Sequence, residues 1–309
     1  MKITVIGASG NVGSSAAFNI AVNGLADELV LIYTSRREMV DFHAMDIATA
    51  VTGRDMLVRA GDYADMQDSD IVVVTAGIAR VTRSRLEILP QNLPIIQEIS
   101  KQVTKFCPGT VVLTASNPVC PLNYAMFRCS ELDQHKILGY TYNDSIRFRM
   151  RLAQALGVSS RRVEATVIGE HGDSQVLLFS SARVDGKPVP IGEDIKEKLR
   201  RQVPENQKWL NEMTVKTGRT AAWTTGVGIT AVCRAIVQNT GEMIPCSVVL
   251  DGEYGCHSLS MSVPTVLEKE GVRDILEWEI APDERRLLDK SIEVLKPHMK
   301  YVEEFLHLC

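Results

Sequence analysis

The sequence predicts an α/β protein: a doubly wound parallel sheet built by residues 1–141, followed by an α+β second half over residues 142–309. Three observations predict it. A strand, a Gly-rich turn, a helix and a second strand follow one another at the N-terminus. Near-continuous apolar strands at 70–77 and 110–114 then alternate with helical stretches, as in parallel sheets covered on both faces. After residue 142 the alternation gives way to a hairpin and amphipathic helices.

The first strand is Lys2-Ile3-Thr4-Val5-Ile6. Gly7-Ala8-Ser9-Gly10-Asn11-Val12-Gly13 follows, then a helical segment through Ala16, Ala17, Ile20 and Ala21, then the strand Leu29-Val30-Leu31-Ile32-Tyr33. This is the βαβ context of a dinucleotide site. Of the three glycines, the first permits a tight turn, the second lets backbone approach a pyrophosphate, and the third lets helix and strand pack closely. The helix start supplies N–H groups and a positive dipole end to phosphate. A site for the unphosphorylated cofactor normally carries a carboxylate after the second strand. Here Tyr33-Thr34-Ser35-Arg36-Arg37 stands instead. Two hydroxyls and two guanidinium groups suit a 2′-phosphate, so NADP(H) is expected in preference to NAD(H), with NAD(H) still possible.

Further along, 70–77 ends in Thr75-Ala76-Gly77, and 110–114 leads to Ser116-Asn117-Pro118. Gly7, Gly77 and Asn117 thus fall at carboxyl ends of strands, where doubly wound sheets open their ligand crevice. A helix begins near Asp144, with Arg147 three residues on and so on the same face. A β-branched run at 163–167 leads into Ile168-Gly169-Glu170-His171-Gly172-Asp173-Ser174, a turn that sets one His among glycines and carboxylates. Histidine exchanges protons near neutrality. Asp185-Gly186 marks a hairpin. Helical stretches follow at 193–201 and 223–239, strand-like runs at 246–250 and 259–266. Leu288, Ile292, Leu295, Met299, Val302 and Leu306 recur at helical spacing as a packing stripe, and Pro297 should kink that last helix.

Composition narrows the function classes. The net charge is −4, with 45% apolar and 23% charged residues. That balance offers no electrostatic reason to bind nucleic acid or an anionic membrane. No apolar run is long enough to span a bilayer. Met1-Lys2 passes directly into a strand, so no leader is expected. The 7 cysteines are scattered without a CxxC pair. Reduced thiols in a cytoplasmic protein are expected, with neither a disulfide framework nor a metal site.

Taken together, the motifs resemble the malate/lactate dehydrogenase family over nearly the whole chain, and archaeal-type malate dehydrogenases most of all. The landmarks stand in family order: the Gly7–Gly13 turn, Thr75-Ala76-Gly77-Ile78-Ala79-Arg80, Ser84-Arg85, Ser116-Asn117-Pro118-Val119, Asp144-Ser145-Ile146-Arg147-Phe148 and the His171 turn. The resemblance implies a Rossmann-type cofactor domain followed by a substrate domain, and a homodimer or homotetramer. It implies that His171 is the general acid for reducing a 2-oxo acid and the base in reverse. Asp144 would orient the imidazole and favour its charged form. Arg147 would clamp the substrate carboxylate bidentately, and Arg85 would polarise the carbonyl. Asn117 would stand between cofactor and substrate, with Ala76, Gly77 and Asn92 along the cofactor.

By the same resemblance Arg80 would bind the second carboxylate of a dicarboxylate, and the small Ala221 would leave room for it; both point to malate. Three departures stand out. The loop 80–85 is one residue shorter than the family pattern and lacks its glycine, so Arg80 and Arg83 compete for the distal carboxylate. Ala79 replaces a frequent Pro. Asn143 precedes Asp144 where an apolar residue is usual. A lactate or other 2-hydroxy acid dehydrogenase is the nearest alternative. A non-catalytic nucleotide-binding sensor is more distant, since a binder has no use for a proton shuttle.

Overall fold

The computed structural model describes residues 1–78 and 86–308. Arg80, Arg83 and Arg85 lie outside the described residues. The first half contains β1 (Lys2–Ile6), α1 (Asn11–Val22), β2 (Glu28–Ile32), α2 (Arg37–Ala50), β3 (Leu57–Gly61), β4 (Ile71–Val74), α3 (Leu89–Phe106), β5 (Val111–Thr114), α4 (Val119–Cys129) and β6 (Ile137–Gly139). The six strands pair in parallel in the order β3-β2-β1-β4-β5-β6. The chain winds outward from β1 to β3, returns to β4 beside β1, and winds the other way. The loops after β1 and β4 therefore part, and a crevice opens at their carboxyl ends. The central strands are largely apolar because helices cover both faces: all four residues of β4 are buried.

The second half begins with α5 (Tyr142–Leu156). β7 (Val163–Ile168), β8 (Val176–Val184) and β9 (Lys187–Pro188) make a small antiparallel sheet. Its tight hairpin turns on Asp185 and Gly186, at φ 51° and 73°, the positive pair that a two-residue type I′ turn requires. Two helices follow, α6 (Glu193–Thr217) and α7 (Trp223–Val237). The hairpin β10 (Glu242–Asp251) and β11 (His257–Glu268), with β12 (Gly271–Ile275), precedes the last helix, α8 (Pro282–Leu308). This hairpin does not form a sheet of its own. β10 runs antiparallel to β6, Ser247 opposite Gly139, and extends the first sheet to nine strands among the described residues. Glycine is needed at 139: a Cβ there would come within 2.8 Å of both Ser247 and Val119.

Two cores result. The larger sits on both faces of the nine-stranded sheet. The smaller joins α5, the small sheet and α6, with Phe148 set edge-on to Phe179 at 5.0 Å between ring centroids. Truncating such a buried ring costs about 3–5 kcal/mol, enough to hold α5 firmly while its first turn faces the crevice. In α8, Leu288, Ile292, Leu295, Met299 and Val302 pack into the larger core. The helix continues past Pro297 to Leu308. Pro297 and Glu293, whose carbonyl loses its helical partner, both lie on the exposed face, where water can replace the missing bond. Cys107, Cys120, Cys233, Cys246 and Cys256 are free thiols.

Candidate active site

A cavity of about 480 Å³ runs along the crevice. One wall is the glycine turn: Gly7, Ser9, Gly10, Asn11, Val12 and Gly13 all line it. The glycines have different reasons. A Cβ on Gly7, at φ 85°, would lie 2.6 Å from the Ala76 nitrogen, and one on Gly13 would lie 2.5 Å from the Gly7 carbonyl. A Cβ on Gly10 would meet nothing closer than 3.5 Å. Packing therefore demands Gly7 and Gly13, whereas the missing side chain at Gly10 leaves the turn open toward the cavity. α1 starts there with no capping side chain and no acidic residue in its first turn. Its first N–H groups are available to an anion. His43 of α2 supports the turn from outside, its Nδ1 3.0 Å from the Ala8 carbonyl.

At one end Thr34, Ser35 and Arg36 enter the wall. Tyr33 and Arg37 stand beside it instead. The Arg37 guanidinium lies 5.6 Å from the centre of the Tyr33 ring and 3.8 Å from Asp41. The Arg36 guanidinium has no ion-pair partner among the described residues.

The middle of the cavity is bounded by Ala76, Gly77, Asn92 and Asn117. Asn92 fastens two strand ends together: its Oδ1 accepts from the Ile78 N–H at 2.8 Å, and its Nδ2 donates to the Asn117 carbonyl at 2.7 Å. The Asn117 Oδ1 is buried with no hydrogen-bond partner among the described residues, which marks it as an acceptor for a ligand.

At the other end stands His171. β7 delivers it through Gly169, at φ 85°, which exchanges two 2.9 Å backbone hydrogen bonds with Ser262 of β11. The His171 Nδ1 lies 2.5 Å from Asp144 Oδ2; the two residues are 6% and 4% exposed. The imidazole itself lines the cavity. Asp144 itself does not line the cavity; it backs the imidazole. Arg147, one turn along α5, lines the cavity with its Nη1 3.4 Å from Asp144 Oδ1. Gln207 of α6 steadies it, accepting from Nη1 at 2.8 Å, and donates in turn to Asn211 at 3.1 Å. Ala221 lies on the same wall. Gln207, Asn211, His43 and Thr225 escaped the sequence reading: each is one polar residue in a helix, and no local pattern sets it apart. The cradle, the bare helix start and the unpartnered Asn117 oxygen fit a dinucleotide.

Residues 1–139 match the family described as lactate/malate dehydrogenase, NAD binding domain. Residues 141–306 match lactate/malate dehydrogenase, alpha/beta C-terminal domain. The chain belongs to this family. It is 37% identical to the malate dehydrogenase of Halobacterium salinarum over 298 residues, covering 95% of this chain and 97% of that one. It is 31% identical to an L-lactate dehydrogenase of Clostridium perfringens over 306 residues, 96% of each. The crystal structure of Cryptosporidium parvum malate dehydrogenase superposes with a TM-score of 0.91 at 25% identity, covering 98% of this chain and 99% of that one. The protein is thus an oxidoreductase of the malate/lactate dehydrogenase family with a nicotinamide-cofactor domain and a small-molecule substrate. No helix among the described residues is long and apolar enough to cross a membrane.

Proposed function

We propose that this protein is a cytoplasmic malate dehydrogenase that interconverts malate and oxaloacetate and prefers NADP(H) to NAD(H). The observation that carries the reading is the buried His171–Asp144 pair beside Arg147, in the same cavity as the glycine turn. Residues 1–141 hold the cofactor and residues 142–309 supply most of the substrate site.

The nicotinamide ring, when bound, gives or takes the hydride. Everything else falls to side chains. Arg147 draws the substrate's carboxylate to the wall next to His171 and so fixes which carbonyl is presented. The imidazole Nε2 donates a proton to the carbonyl oxygen during reduction and removes it from the hydroxyl during oxidation. Asp144, on Nδ1, keeps the ring in one orientation and favours the imidazolium. Arg85 polarises the same carbonyl. Arg80 takes the distal carboxylate, for which Ala221 leaves room. The lactate dehydrogenase among the relatives supports the second reading, a monocarboxylate 2-hydroxy acid as substrate.

Arg36, which lines the cavity without an ion-pair partner among the described residues, supports the 2′-phosphate reading. An apolar surface supports a homodimer or homotetramer. Phe42 and Met45 on α2 are 55% and 65% exposed, Trp223 and Val227 on α7 are 80% and 57% exposed, and α1 packs against both helices. Patches of this kind mark protein contacts. Buried thiols support a reducing compartment: burial pushes Cys233 and Cys246 up to about 12.

The test is initial rates with oxaloacetate and with pyruvate, each against NADPH and NADH. Oxaloacetate with NADPH should lead. Pyruvate ahead would move the substrate to lactate, NADH ahead would make Arg36 a surface charge, and no turnover with any pair would leave a nucleotide-binding sensor. Light scattering gives the subunit number.

A further inference from the structure

We propose that Thr225 contacts the bound ligands: its hydroxyl donates a hydrogen bond into the cavity, to a carbonyl or carboxylate oxygen of the cofactor–substrate pair. The inference rests on the cavity being the active site, as read above.

Tyr140 follows β6, Asn143 lies in the first turn of α5 and Thr225 in the first turn of α7. All three are buried and all three line the cavity. The Tyr140 hydroxyl lies 2.6 Å from Asn143 Oδ1. A carbonyl oxygen only accepts, so the phenol donates. The Asn143 Nδ2 lies 2.8 Å from Thr225 Oγ1. An amide nitrogen only donates, so the threonine accepts. The chain of bonds therefore has one direction, and it ends with the Thr225 proton still to be placed.

The usual outlet for a helical threonine is the carbonyl four residues back. Thr230, in the same helix, uses it, donating to Gly226 at 2.8 Å. Thr225 has no such bond, and no protein acceptor for its proton lies within reach among the described residues. Rotating the Asn143 amide would reverse the chain. It would force the phenol to donate to the Thr224 carbonyl, at 3.4 Å, in place of the 2.6 Å bond. The shorter bond decides the direction.

Location decides the kind of acceptor. Next to Thr225, Gly226 packs so closely on Ser15 of α1 that a Cβ would collide with it, and Gly228 does the same on the Tyr140 hydroxyl. The first turn of α7 is thus wedged between α1, which begins at the phosphate cradle, and α5, which carries Asp144 and Arg147. On the active-site reading above, the facing ends of cofactor and substrate would occupy that interval. Each carries an acceptor: the carboxamide oxygen of the cofactor and the carboxylate of the substrate. The polar Asn143, where an apolar residue would be expected, is explained: it aims the Thr225 proton.

The test uses Thr225→Val, of the same shape, with Thr225→Ser as rescue and Asn143→Asp as the reversal. Dinucleotide Kd is read by fluorescence without substrate, and KM with whichever 2-oxo acid the wild type turns over. Thr225→Val should weaken one of the two by about three- to tenfold, the range of one hydrogen bond. A raised Kd assigns the bond to the carboxamide; a raised KM at constant Kd assigns it to the substrate. Thr225→Ser should restore it. In Asn143→Asp the carboxylate accepts from both hydroxyls and turns the Thr225 proton away from the cavity. It should reproduce the loss, and the double variant Asn143→Asp/Thr225→Val should lose no more than either. A Thr225→Val protein with unchanged melting temperature and both constants within twofold of wild type overturns the proposal, and fully additive losses overturn the relay. The dinucleotide Kd needs no turnover, so it can be read even if the malate assignment fails.

Discussion

Glu170 and Ser291, 121 residues apart, close a ring of hydrogen bonds directly behind His171. The Glu170 N–H donates to Ser291 Oγ at 2.8 Å. The Ser291 and Ser174 hydroxyls lie 3.1 Å apart, and Ser174 donates from both its N–H and its hydroxyl to Glu170 Oε2, at 3.1 and 2.5 Å. Two glycines make room: a Cβ on Gly169 would lie 2.6 Å from Ser291 Oγ, and one on Gly172 would collide with the Glu170 carboxylate. α8 thus holds the turn that carries His171.

Ser291 is fully buried. Ser291→Ala should therefore strand the Glu170 N–H and destabilise the fold by about 1–3 kcal/mol, read as a lower urea midpoint at constant slope. It should also lower kcat more than it raises KM, because the imidazole is displaced while Arg147 is not. Unchanged stability and kcat would mean that α8 only covers the turn.

How far the site was legible follows the distance over which each feature is encoded. The glycine turn, the Asp185-Gly186 hairpin and the Gly-flanked His171 are local patterns, and they stand where the sequence put them. β6 was missed because it has only three residues, and β3 because Arg59 and Gly61 interrupt its apolar run. The union of β6 with β10 is a pairing across more than a hundred residues and leaves no local trace. Ser291, Gln207 and His43 act at similar range. Arg37 shows the limit from the other side: its sequence position matches that of Arg36, yet Tyr33 and Asp41 hold its side chain out of the cavity wall.

The His171–Asp144 pair gives the next expectation. His171→Asn keeps a hydrogen bond to Asp144 but has no proton to exchange, so kcat should fall by about 10²–10⁴-fold with dinucleotide Kd unchanged. Asp144→Asn should also lower kcat, since a neutral amide supports the imidazolium less. It should disturb KM as well, because Arg147 lies 3.4 Å from the same carboxylate. A fall in kcat alone would show that Arg147 is held by Gln207 without help from Asp144.

A pH effect on stability should originate in α8. Burial lowers His298 below its ordinary 6.5, and the nearby Glu170 charge offsets part of that. A histidine lowered in the folded state takes up its proton more readily when unfolded. Its stability contribution is therefore complete above 6.5 and is lost as pH falls from there through the folded value. Urea midpoints should drop between neutral and mildly acidic pH, and His298→Gln should flatten that drop. An identical slope in the variant would place the acid sensitivity elsewhere.

Arg36 and Arg37 test the 2′-phosphate reading against that of plain surface charges. Arg36 lines the cavity next to Thr34 and Ser35, and its guanidinium has no ion-pair partner among the described residues. Arg37 is engaged with Tyr33 and Asp41. A charge-assisted bond to a phosphate is worth about 1.5–3 kcal/mol, or roughly ten- to a hundredfold in affinity. Arg36→Ala should therefore raise the NADPH Kd by that factor and leave the NADH Kd nearly unchanged. Arg37→Ala should cost much less, because freeing Tyr33 and Asp41 exposes no phosphate contact. The difference should shrink as salt is added, since the site is exposed and screened. Equal losses for both dinucleotides in Arg36→Ala would show that the guanidinium supports the adenosine end in general, and the two hydroxyls of Thr34 and Ser35 would then serve the ribose of NAD(H).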